Sequence, residues 1–144
     1  MKNLAILGAT GSIGASTLSV CRNNPHLYNI SLLVAAKSVD KMLALCLEFK
    51  PAYVAMSCPL ASEKLAIKLK QENSNSQLLH SEDELLQLLK SAEIDSVMAA
   101  IVGGAGLKTT LTAVNAGKEI FLANKESLVM SGQLFIDAVQ KSGS

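Results

Sequence analysis

The chain has 144 residues, 49% of them apolar and only 3% aromatic, and its formal charge at pH 7 is +1. That length suits a single domain with a real core, and a near-neutral balance without blocks of like charge excludes the electrostatic footprint of a nucleic-acid binder or a partner for an acidic membrane face. Richness in Ala, Leu, Val and Ile fits a sheet buried beneath helices better than a sandwich or a stacking surface.

The first apolar run, residues 4–7, reads as a buried strand. Gly8, Thr10, Gly11 and Ser12 cut it below the length that the core of a signal peptide needs. A helical segment over 11–22 follows and stops before Asn24-Pro25, because a residue ahead of proline is pushed out of the helical region. A second strand covers 30–35. Ser38 is a fair N-cap for a helix over 39–49, where Met42, Leu43, Leu45, Cys46 and Phe49 recur at helical spacing until Pro51.

A strand over 53–56, a helix over 61–71, a polar loop at 73–76 and a short strand over 77–79 come next. Ser81 and Glu84 have the spacing of a capping box that opens a helix through Leu89. The chain continues with a strand over 96–102, a helix over 109–116 closed by Gly117 as a left-handed C′ residue, a strand over 119–123 and an amphipathic helix over 126–141. Strict alternation of strand and helix implies parallel strands, right-handed crossovers and helices on both faces. The expected fold is therefore a single α/β domain over 1–144, a doubly wound, Rossmann-like parallel sheet.

Cys21, Cys46 and Cys58 are odd in number and lack C-x-x-C spacing, so they read as small buried apolar residues of a reducing compartment. The longest apolar stretch, around 97–107, is too short and too glycine-rich to span a bilayer. A cytoplasmic protein without membrane or nucleic-acid partners is expected. His26 and His80 fall in polar connecting stretches and read as solvated.

In a sheet of this kind ligands sit at the carboxyl ends of the strands, and the first strand-to-helix turn is the usual phosphate cradle. GATGSIG, residues 8–14, lies there. Gly8 permits a tight turn, Gly11 lets backbone approach a diphosphate, Gly14 removes a Cβ that would hold the helix away, and the amides of Thr10, Gly11, Ser12 and Ile13 face an anion. The spacing is not G-x-G-x-x-G, and glycines serving only a tight turn are the competing reading. A preceding strand and following helix favour the dinucleotide.

The second strand runs into Ala36-Lys37-Ser38 with no carboxylate before Asp40. A cation, a hydroxyl and the amides of a helix start suit a 2′-phosphate, hence NADP, while a solvated lysine beside a capping serine is the plain alternative. The small residues of 99–106 either keep a groove open or only pack a helix onto the sheet. At the last strand end, Asn124, Lys125 and Glu126 bring an amide, a cation and a carboxylate together. Helix capping accounts for Asn124 and Glu126 but not for a lysine at the positive end of a helix.

GATGSIG, CLEFKPAYVAM, VMAAIVGGAGL and LANKESLV together resemble the amino-terminal part of the 1-deoxy-D-xylulose 5-phosphate reductoisomerase family, over essentially the whole chain. The resemblance implies that Thr10, Gly11, Ser12 and Ile13 hold the NADPH phosphates, that Ala36, Lys37 and Ser38 hold the 2′-phosphate, that Asn124 and Glu126 meet the nicotinamide half, and that Lys125 reaches a phosphorylated sugar substrate. The family has glycine and asparagine where this chain has Ala36 and Ser38, which keep backbone amides and a hydroxyl. It also implies a homodimer and a metal-dependent isomerisation followed by NADPH reduction, giving 2-C-methyl-D-erythritol 4-phosphate for isoprenoid synthesis. The family's metal-ligand motif, for magnesium or manganese, would follow Ser144. These residues are accordingly expected to hold no metal or catalytic residue of their own, to bind cofactor without turnover, and to expose an apolar face for a further domain. Two other readings are the cofactor domain of an aspartate-semialdehyde dehydrogenase-type reductase, which does not account for LANKESLV, and a free-standing NADP-sensing module.

Overall fold

The computed structural model describes residues 2–100 and 107–122. Eleven elements alternate along them: β1 (Lys2–Leu7), α1 (Ser12–Asn23), β2 (Tyr28–Ala35), α2 (Val39–Phe49), β3 (Tyr53–Met56), α3 (Pro59–Gln71), β4 (Gln77–Leu79), α4 (Glu82–Lys90), β5 (Ser96–Ala99), α5 (Leu107–Asn115) and β6 (Glu119–Leu122). The strands form one parallel sheet in the order β4-β3-β2-β1-β5-β6. The chain moves outward from β1 to β4 and then returns to the other side of β1, so the order reverses between β1 and β5.

Alternating side chains of the central strands feed two cores. Leu4 and Ile6 of β1 join Leu18 of α1, Met42 and Cys46 of α2 and Leu65 and Leu69 of α3. Ala5 and Leu7 instead join Leu85, Leu88 and Leu89 of α4 and Ala113 of α5. The sheet thus carries α1, α2 and α3 on one face and α4 and α5 on the other, as the alternation requires. In β2 the simple two-residue period breaks. Leu4 pairs with Ile30 but Ala5 pairs with Leu32, a register shift that leaves Ser31 as the extra residue of a bulge, where its hydroxyl accepts from Asn29 Nδ2 at 3.2 Å.

The element ends follow local chemistry. Ser81 Oγ accepts from the Glu84 amide at 3.2 Å, the N-cap half of the expected capping box. After α5, Gly117 has φ 78, its amide donates to the Val114 carbonyl at 3.0 Å and the Lys118 amide to that of Ala113 at 3.1 Å, which is a Schellman closure. Asn73, φ 54, closes α3 in the same way, with bonds from the Asn73 amide to Lys70 and the Ser74 amide to Leu69. Several expected bounds need correction, among them α5, which spans Leu107–Asn115 rather than 109–116, and β5, which ends at Ala99 with Ala100 already outside the strand. β1 and β2 begin two residues early, at Lys2 and Tyr28, because strand pairing is made by backbone groups and continues under polar side chains. α3 begins at Pro59, whose fixed φ and missing N–H suit the first helical position. α1 begins at Ser12, with Gly11 as its N-cap. The expected helix over 126–141 lies outside the described residues.

Cys21 and Cys46 are buried as expected, but Cys58, at the N-cap of α3, is only half-buried. Burial pushes the Cys46 thiol up to about 11, against a lowering hydrogen bond with Ser76. Because the thiolate is the reactive species, a maleimide applied to the native protein near about pH 8 is expected to label Cys58 well before Cys46. Peptide mapping at short reaction times reads the order, and faster labelling of Cys46 would contradict this packing. No helix among the described residues is long and apolar enough to cross a membrane. The large apolar side chains exposed among them, including Val20, Leu47, Leu60 and Ile67, belong to the α1–α3 side of the molecule.

Candidate cofactor site

A cleft of about 890 Å³ runs along the carboxyl edge of the sheet. It extends from Gly8, Thr10 and Gly11 in the β1–α1 turn, past Val34, Ala35 and Ala36 at the end of β2, to Met56 at the end of β3, Ser57 just beyond it and His80 beyond β4. Ala100 and Thr109 line its β5 side. The cleft therefore opens beside the point where the strand order reverses, the place such sheets use for ligands.

Gly8 has φ 93, a left-handed conformation that glycine adopts without cost, and this turns the chain sharply off β1. The amides of Gly8 and Ala9 both donate to the Val34 carbonyl, each at 2.8 Å, so the end of β2 anchors the turn. Gly14 is buried in α1. A Cβ placed there would lie 2.3 Å from the Gly8 carbonyl oxygen and 2.7 Å from that of Ala9. Its missing side chain thus lets the helix close against the turn itself rather than against the sheet. At Gly11 a Cβ would meet only the Gly8 oxygen, at 3.6 Å. The turn alone does not demand glycine there, so the close-approach argument for Gly11 applies only with a ligand against its backbone.

The Gly11 amide donates to the Gly8 carbonyl at 3.3 Å and the Ala15 amide to the Gly11 carbonyl at 2.9 Å. The amides of Thr10, Ser12, Ile13 and Gly14 find no acceptor among the described residues, no side chain caps α1, and its first turn carries no carboxylate. Thr10 is half-buried, whereas Gly11, Ser12 and Ile13 are exposed. A tight turn with four amide donors left open, at the positive end of a helix, fits an anionic diphosphate.

The second turn, Ala36-Lys37-Ser38, is exposed and lies between β2 and α2. The Cys58 amide donates to the Ala36 carbonyl at 3.1 Å, tying this turn to the start of α3. Ser38 occupies the N-cap position with φ −77 and ψ 79, but its hydroxyl makes no capping bond. The expectation that it caps α2 is right in position and wrong in chemistry: that ψ departs from the extended geometry of a capping residue, and the hydroxyl is left open. Asp40, the first carboxylate after β2, has its Oδ1 3.4 Å from Lys68 Nζ of α3. Lys37 is not ion-paired among the described residues, so a cation and a hydroxyl stand together without an anion.

Of the first two expected clusters, Thr10, Gly11 and Ala36 line this cleft, Lys37 and Ser38 line a separate hollow beside it, and Ser12 and Ile13 line neither. Asn124, Lys125 and Glu126 lie outside the described residues, as do residues 101–106. His80 is exposed, as a solvated residue should be, yet it also lines the cleft, and its position directly after β4 was the available signal. Among the described residues no three His, Cys, Asp or Glu side chains come together as a metal site.

Residues 4–132 match the family model for 1-deoxy-D-xylulose 5-phosphate reductoisomerase. The chain is 68% identical over its whole length to the reductoisomerase of Psychromonas ingrahamii and 55% identical to that of Shewanella halifaxensis, covering 36% of each relative. It spans about a third of the length of these curated relatives. A crystal structure of DOX-P reductoisomerase in complex with NADPH, fosmidomycin and magnesium superposes on 99% of the chain with TM-score 0.93 and 45% identity, the chain covering 35% of it. The reductoisomerase of Zymomonas mobilis in complex with NADPH superposes on 99% of the chain with TM-score 0.89 and 37% identity, the chain covering 37% of it.

Proposed function

This chain belongs to the 1-deoxy-D-xylulose 5-phosphate reductoisomerase family, and from that premise we propose that residues 1–144 are its NADPH-binding domain, serving a metal-dependent isomerisation and reduction that gives 2-C-methyl-D-erythritol 4-phosphate. The observation that carries the cofactor reading is the row of open amides at Thr10, Ser12 and Ile13 above a turn that Gly8 and Gly14 alone permit. The membership removes the aspartate-semialdehyde dehydrogenase-type reading. A relative's structure holds NADPH and magnesium, which supports NADPH as the cofactor of these residues and a divalent metal for the family's longer enzyme.

Bound in the cleft, NADPH supplies a hydride for reduction of an aldehyde. The open amides of Thr10, Ser12 and Ile13 would orient its diphosphate, with the Gly11 backbone against it and no charged side chain, and the end of β2 keeps the turn in place through Val34. Ala36, Lys37 and Ser38 take the 2′-phosphate. Asn124 and Glu126 are assigned to the nicotinamide half and Lys125 to the substrate, a phosphorylated hydroxyketone. A homodimer and a cytoplasmic location belong to the same proposal, the latter supported by free Cys21, Cys46 and Cys58.

The test is a chimera in which these residues replace the matching segment of the Psychromonas ingrahamii enzyme. It is expected to oxidise NADPH when given 1-deoxy-D-xylulose 5-phosphate and magnesium. A folded chimera that leaves NADPH unchanged while the parent enzyme turns over would overturn the assignment.

A further inference from the structure

Beside the 2′-phosphate turn the surface forms a second concavity, of about 520 Å³, between the start of α2 and the side of α3. Its wall carries Lys37, Lys41, Lys64 and Lys68 and a single carboxylate, Asp40. Lys68 is already committed, its Nζ lying 3.4 Å from Asp40 Oδ1. Lys37, Lys41 and Lys64 have no ion-pair partner among the described residues. Three uncompensated cations sharing one hollow repel each other, and nothing in the packing of α2 against α3 requires them, since Met42, Cys46, Leu65 and Leu69 supply that contact. An anion entering the hollow converts the repulsion into attraction. The nearest anion of the proposed ligand is the one assigned to Lys37 and Ser38, which line this same hollow.

Resting on the NADPH reading above, we infer that Lys41 of α2 and Lys64 of α3 are specificity-determining residues that complete the 2′-phosphate pocket with Lys37, while Lys68 neutralises Asp40, the one carboxylate that would repel the phosphate. A dianionic 2′-phosphate flanked by flexible lysines from α2 and α3 would be discriminated without an arginine fork. The pocket also reaches an element, α3, that the β2–α2 turn alone does not include.

The experiment measures Kd for NADPH and for NADH, which lacks the 2′-phosphate, with the wild-type chain, K37M, K41M, K64M, the double variant K41M/K64M, and K70M as a control on α3 outside the hollow. These side chains are surface lysines, and a thermal melt confirms that each variant remains folded. K64M and K41M are each expected to weaken NADPH by about threefold to tenfold, as an exposed charge-assisted contact does, and to leave NADH within about twofold. The double variant is also expected to show a shallower dependence of Kd on salt than wild type. Loss of NADPH affinity no greater than in K70M, or equal losses for both dinucleotides, would overturn the inference. If the wild-type chain itself does not distinguish the two dinucleotides, the underlying NADP reading falls as well; if it does, and only K37M responds, the assignment of Lys41 and Lys64 alone falls.

Discussion

Replacing Gly14 by alanine is expected to be the most damaging single methyl in the cofactor turn. The added Cβ would sit 2.3 Å from one carbonyl oxygen and 2.7 Å from another, and both belong to backbone that cannot rotate away. The Gly8 oxygen already accepts from Gly11, and the Gly8 and Ala9 amides are held by Val34, so relief requires α1 to lift off the turn or the turn to leave β2. Overpacking of this kind costs about 3 kcal/mol. Urea unfolding of G14A against wild type reads the cost directly. G11A is the matched control, because its nearest contact is an ordinary 3.6 Å and the backbone there, with φ −83, accepts any L residue. Its stability is expected to stay within about 0.5 kcal/mol of wild type. If G11A nonetheless loses NADPH binding, the loss locates the diphosphate against that backbone. Equal stability of G14A and wild type would show that the turn is looser than its contacts imply.

Replacing Lys37 by methionine is expected to separate the two dinucleotides. The substitution keeps most of the side chain's apolar length and removes the ammonium with its charge and donors, and Lys37 is exposed, so the fold is not at stake. Loss of one charge-assisted contact to the 2′-phosphate is worth about 1.5 kcal/mol, or roughly tenfold in Kd. NADPH should weaken by that factor while NADH is unaffected. Isothermal titration with both ligands measures the pair, and a parallel fall in both would mean that Lys37 acts on a part of the cofactor they share.

The sheet was legible because its central strands are nearly uninterrupted apolar runs, and Leu4 to Leu7 and Leu32 to Ala35 are buried on both faces. What the pattern conceals is where backbone pairing outlasts hydrophobicity. Lys2 and Tyr28 are strand residues because their main chains pair, and Ser31 interrupts the register without any turn residue to announce it. The helix expected from residue 61 in fact begins at Pro59. At the site, Gly8 and Gly14 were readable because the requirements they meet, a left-handed φ and a missing Cβ, are local. Gly11 looked equivalent but is not, since its need depends on a ligand. The state of the Ser38 hydroxyl depends on one ψ angle, and the meeting of Lys37 with Lys64 depends on how α2 packs against α3, neither of which any short motif encodes.

The measurement that bears most directly on the account is an amide NMR titration of the chain with NADPH and, separately, NADH. Binding of the kind proposed shifts Gly8 through Gly14, Lys37 and Asn124 and saturates at lower concentration with NADPH. A folded sample whose GATGSIG amides respond to neither dinucleotide would contradict it.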